Sequence, residues 1–176
     1  MKYFLTLLGF ILSIYCIAQN SYPVTMNGIA GFKLGMKKEE AEKLLGQEIK
    51  LINTLKKEDD LDTITCKYKD MDLTFIFEKD YNDDKNSNII IREIMTNSAF
   101  AKTPSGIGIG DDKFKIITTY EAYTIWIVPA YENNYTTRSK TKTDVYVHGD
   151  ESGDAIIFHL NMNKVESISV KYDDAD

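Results

Sequence analysis

An eight-residue pattern recurs in this chain in a diverged second copy, and it limits the possible folds more than any other feature. Gly31-Phe32-Lys33-Leu34-Gly35-Met36-Lys37-Lys38 returns 75 residues later as Gly106-Ile107-Gly108-Ile109-Gly110-Asp111-Asp112-Lys113. Each copy sets two apolar residues, spaced by one, ahead of a glycine. Self-similarity at a long fixed period is the mark of a duplicated unit, so the elements are best read in pairs. A helical stretch follows each phrase. Lys37 to Leu45 puts Ala41, Leu44 and Leu45 on one face and closes at Gly46, where a positive φ suits glycine. Asp111 to Tyr120 aligns Phe114, Ile117 and Tyr120, and Asp111 or Asp112 is placed to cap its first turn.

Strand-like segments follow each helix. In the first half they are Glu48–Leu55, Thr63–Lys69, Asp72–Glu78 and Ile89–Thr96; in the second, Tyr123–Tyr131, Thr143–His148, Ala155–Leu160 and Val165–Tyr172. Ile64, Cys66 and Tyr68 alternate with polar residues, as do Leu73, Phe75 and Phe77 with Asp72, Thr74 and Ile76. That period of two gives one buried and one wetter face, which antiparallel pairing provides. The expectation is an α+β fold of two tandem repeats, each a helical segment packed on a four-stranded antiparallel sheet. The repeats run over 19–97 and 106–176, with 98–105 as linker.

Residues 1–18 read as a secretion signal. Lys2 supplies the charge, Tyr3 to Ile17 the apolar run, and Cys16-Ile17-Ala18 the small residues before a cut at Gln19. The run is shorter than the roughly 20 residues a membrane span needs, and no integral membrane segment is expected after cleavage. Tyr15 before Cys16 argues against lipidation. The expected location is periplasmic or secreted. Removing Lys2 takes the net charge from −6 to −7. So acidic a surface repels phosphate backbones, and nucleic acid is not an expected partner. Cys66 is left as a lone thiol without an intrachain disulfide, and reads as a core residue.

The first phrase, with Glu39, Glu40, Ala41 and the closing Leu44-Leu45-Gly46, resembles the helix-entry signature of the BamE/SmpA-like lipoproteins. It is also similar to the superfamily that includes the β-lactamase inhibitor proteins, whose architecture is a tandem duplication of this period. The resemblance implies a non-enzymatic exported module that binds another protein through a concave sheet and its hairpin tips. Matching tips here are Asp70, Met71 and Asp72 in the first half and His148, Asp150 and Glu151 in the second. The chain departs from those families in three ways. It lacks the inhibitors' disulfides, it lacks the lipid-bearing cysteine, and it has Asp111 where Met36 stands in the first copy.

The residues add an aromatic argument of their own. Thr124, Trp126 and Val128 share one face of a strand, and Tyr123, Ile125 and Ile127 the other. Trp and Tyr dominate interface hot spots. The candidate binding surface is therefore Trp126, Tyr131, Tyr146 and His148, with the hairpin tips beside it. Other patterns are weaker. Gly106 to Gly110 lacks the lysine or spacing of a phosphate loop and reads as a turn. His148 and His159 with Asp150, Glu151 and Asp154 meet no metal-ligand spacing. Ser139 to Lys142 has a Ser-x-x-Lys spacing without partner motifs. No catalytic residue, cofactor or metal is assigned. Two alternatives stand beside the binder: an envelope-assembly scaffold component, and a small ligand-binding protein or hydrolase with a deep polar pocket.

Overall fold

The computed structural model describes residues 21–52, 55, 61–80, 88–132, 137–149 and 153–172. Strands β1 (Tyr22–Thr25), β2 (Gly28–Ile29) and β3 (Phe32–Lys33) lead into helix α1 (Lys38–Leu45). Then come β4 (Asp62–Tyr68), β5 (Met71–Lys79), β6 (Ile89–Thr96) and β7 (Ala101–Lys102), helix α2 (Lys113–Thr119), and β8 (Thr124–Glu132), β9 (Thr137–His148), β10 (Asp154–Asn161) and β11 (Lys164–Tyr172). One large sheet has the order β4-β5-β6-β11-β10-β9-β8, and a small sheet the order β3-β2-β1-β7.

The α+β expectation is corrected. Among the described residues the protein is mostly β, with 57% strand against 12% helix, and its strands form sheets of seven and four rather than two separate sheets of four. The halves share the large sheet through one antiparallel seam, Glu93–Thr96 of β6 against Ile168–Lys171 of β11. Two causes are visible. The stretch read as the first strand, Glu48–Leu55, gives its backbone donors to carboxylates: the Ile49 N–H to Glu42 at 2.8 Å and the Ile52 N–H to Asp62 at 2.5 Å. Its described part is therefore not a strand. The stretch read as a linker, 98–105, instead carries β7, which pairs in parallel with β1 and buries Ala101 and Thr103.

The core lies between the sheets. On β5 the alternation puts Met71, Leu73, Phe75 and Phe77 on one face, all buried. Phe32 of the small sheet meets Phe75 at 5.1 Å and Tyr68 at 5.0 Å between ring centroids. Ile94, Ile168, Phe158 and Val145 carry the same face across the seam. Each such side chain, fully buried, contributes roughly 1.5–3 kcal/mol.

The duplicated phrase makes two matching anchors. Gly35 and Gly110 both hold positive φ, at 72° and 87°, a region that favours glycine. The Gly35 N–H donates to Ile91 O, and the Ile91 N–H returns to Met36 O. In the second half Gly110 donates to Val165 O, and Val165 returns to Asp111 O. Each anchor thus ties a helix start to an inner strand of the large sheet. Asp111 also accepts from the Gly108 N–H at 2.8 Å and from Lys115. Burial pushes its carboxyl up, but these bonds and the Lys115 and Lys102 charges outweigh it and hold the group below the usual range.

The helices are short. Gly46, left-handed, closes α1 with its N–H on Glu42 O, and the Asp112 carboxylate caps α2 by accepting from the Lys115 N–H. The inward residues of α2 are Ile116 and Tyr120, one helical turn apart, whereas Phe114 points to solvent. The pattern Phe114-Ile117-Tyr120 is thus rotated from the true buried stripe.

Candidate functional site

The small sheet and the helices cover one face of the large sheet; the opposite, open face is exposed along β8 but buried at its centre, where Ala155, Ile157 and Ser169 are 0%, 2% and 0% exposed. Pairing register fixes which residues lie on this face. Trp126 of β8 stands opposite Tyr146 of β9, which stands opposite Ile157 of β10, which stands opposite Ser169 of β11. One step toward the end of the sheet lie Thr124, His148, Ala155 and Lys171. One step the other way lie Val128, Asp144, His159 and Ser167.

Three of the four predicted surface residues meet here. Trp126 is 47% exposed, with its ring tilted against His148 at 4.2 Å. Tyr146 stacks on His148 at 6.1 Å, and the Lys171 ammonium lies 5.6 Å from the Tyr146 ring. His148 is itself buried beneath these neighbours. The imidazole therefore packs beneath the half-exposed indole. Tyr131 is exposed but sits beyond a bulge after Pro129, opposite Arg138, on an arm where β8 and β9 run past β10.

Of the predicted hairpin-tip residues, His148 alone among the described ones joins this cluster. The Asp70 turn ends the β4–β5 hairpin at one edge of the sheet; the turn after His148 lies near the other edge and at the opposite end of the strands. At roughly 4.8 Å per strand, β5 and β9 are about 19 Å apart. Asp70 and Asp72 are exposed, but Met71 is a core residue at 1% exposure, because the pleat turns it inward with Leu73 and Phe75. Asp150 and Glu151 lie outside the described residues.

Register also builds a constellation that the one-dimensional reading missed. On the open face, Asp144 Oδ1 lies 2.8 Å from His159 Nδ1, and His159 Nε2 lies 3.0 Å from Ser169 Oγ. The order carboxylate, imidazole, hydroxyl is that of a hydrolytic triad. Its surroundings are not those of one. Ser169 is wholly buried in the middle of the sheet, so its oxygen has no approach for a carbonyl carbon. The neighbouring backbone N–H groups belong to a strand paired on both sides, and a preorganised oxyanion site needs free donors. The chain Asp144–His159–Ser169 is a cross-strand polar ladder that fixes the imidazole. Only a known strand pairing would have revealed it, since the three residues share no local spacing.

Beyond the ladder the face continues into an open groove of about 440 Å³. Thr65, Thr74, Asn97 and Ser167 line it with hydroxyl and amide groups, and Asp72 and Glu166 add carboxylates. The chain matches no protein-family model, no curated protein and no solved structure.

Proposed function

We propose that this chain is an exported, non-enzymatic protein-binding module that recognises its partner on the open face of the large sheet, at the β8–β9 side. The observation that carries the reading is Trp126: a half-exposed indole, packed against His148 and beside Tyr146, at the exposed β8 margin of this face. Large aromatic anchors on a rigid support are what protein interfaces use, because they bring contact area with little conformational entropy to lose. A strand-mounted site adds that rigidity. The polar ladder and the groove next to it supply the hydrogen-bonding rim that surrounds such anchors. The apolar leader ending at Ala18 supports export, and the Gly35-Met36 helix-entry signature supports a role among envelope and secreted binders.

Trp126 is the only tryptophan in the sequence, so its fluorescence reports the site directly. Acrylamide quenches it in the free protein, and envelope or secreted fractions containing the partner protect it. In a crosslinking pull-down, Trp126→Ala lowers partner recovery by about 30-fold in apparent affinity, the equivalent of a 2 kcal/mol hot spot. The far-UV circular dichroism stays unchanged. An unfolded variant, or undiminished recovery, removes Trp126 from the binding surface.

A further inference from the structure

Two strands bound the large sheet, and they meet solvent differently. β4 carries Asp62 and Lys67. β8 carries no charge from Thr124 to Tyr131. Tyr123, Ile127, Val128 and Tyr131 are 40%, 47%, 38% and 45% exposed, close to the value for Trp126. Trp126 and Val128 lie on the open face and Ile127 on the core face, so exposure along β8 is not confined to one side of the sheet. Stable proteins cover such an edge or blunt it with charge, and among the described residues Pro129, its bulge and the terminal Glu132 are what blunt this one.

We infer that β8 pairs antiparallel with the β8 of a second copy of this chain, about a two-fold axis near Ile127, joining two large sheets into one. The edge backbone of β8 calls for another strand, since only a strand presents N–H and C=O groups at matching intervals. The side chains flanking that row call for an uncharged strand, and β8 is one from Thr124 to Tyr131, with Glu132 only at its far end. Charge selects the direction. Past the end of β10 the β8–β9 arm exposes Arg138 and Lys140, with Lys142 at its base, on a chain of net charge −6. Antiparallel pairing brings the arm of each copy beside the start of the other copy's β8, where Glu121 is exposed. Parallel pairing would set the two basic arms side by side, and β8-on-β4 pairing would not close. The inference does not rest on the proposed recognition role, which uses the sheet face, whereas this pairing uses the edge.

Sedimentation equilibrium of the purified protein across the micromolar range tests it. A closed dimer is expected. Ile127→Lys, which places an ammonium in the seam, returns it to monomer with unchanged circular dichroism. Arg138→Glu with Lys140→Glu weakens dimerisation about tenfold as two surface attractions become repulsions. Adding Glu121→Lys to that pair restores it, which keeps the inference falsifiable should Ile127→Lys not fold. A monomer at all concentrations, open-ended polymers, a dimer indifferent to Ile127→Lys, or failure of the charge swap to rescue each overturns the inference. Because Trp126→Ala reads partner recovery and these variants read mass, failure of one is distinguishable from failure of the other.

Discussion

Alanine at the two anchor glycines separates what the anchors share from what distinguishes them. Both glycines hold left-handed backbone, which alanine adopts at a cost of about 1–2 kcal/mol. Alanine also narrows the unfolded ensemble, which returns roughly 0.4–1 kcal/mol. At Gly110 a Cβ has nothing within 4 Å, so Gly110→Ala is destabilising by the net backbone cost, about 1 kcal/mol. At Gly35 the same atom lies 2.6 Å from the Tyr172 hydroxyl oxygen. Tyr172 ends β11 and is partly buried, so its ring must move, which adds about 1 kcal/mol or more of overpacking. Gly35→Ala therefore loses roughly 2–3 kcal/mol in all, or about 4–12 °C in Tm for a chain of this size. Tyr172→Phe removes the offending oxygen and leaves the next ring atom at 3.9 Å, an ordinary contact. In a double-mutant cycle by urea denaturation, Tyr172→Phe recovers about 1 kcal/mol in the Gly35→Ala background. Equal losses at the two glycines, or no rescue, would refute the packing argument at Gly35.

Two further outcomes follow from side chains that hold the fold. The Glu42 carboxyl sits below the usual range because it accepts from Lys38 and from the Ile49 N–H, against the opposing effect of burial. A lowered folded-state pKa means stability that is present above the ordinary carboxylate range, near 4.3, and lost as pH falls through the folded value. Glu42→Gln should reduce the difference in denaturation midpoint between pH 7 and pH 3; an unchanged difference would remove Glu42 from the acid response. Cys66 is buried, and burial raises its thiol pKa, so the reactive thiolate is scarce in the native state. Labelling by a disulfide reagent should proceed at the rate of opening and become fast in denaturant, whereas rapid native labelling would contradict the packing of β4.

Individual strands were legible in the sequence and their neighbours were not. Ile89–Thr96 is β6 to the residue, and the segments read over Asp72–Glu78, Ala155–Leu160 and Val165–Tyr172 fall inside β5, β10 and β11. Alternation marks which side of a strand meets the core, and that is a local property. It does not say which strand lies alongside, so the β6–β11 seam and the shared sheet were invisible. The same gap hid the Asp144–His159–Ser169 ladder, whose members sit on three strands. Thr137–Lys142 extends β9 through a run of polar residues exposed on the arm, where no buried face exists to imprint a period. Of the binding surface, Trp126 and Tyr146 were readable from aromatic content. The inward turn of Met71 and the burial of His148 depend on packing.

The strand that comes last in sequence, β11, holds the middle place in the large sheet, with three strands on either side. A ribosome that has made everything up to residue 163 has therefore made two unjoined fragments, each with a raw edge. Closure must wait for the final stretch, and most of the contacts it completes link residues far apart along the chain, a topology that folds slowly. Clipping a few residues from β11 would accordingly open the large sheet at its centre instead of fraying its rim, leaving the β1–β7 pair in place.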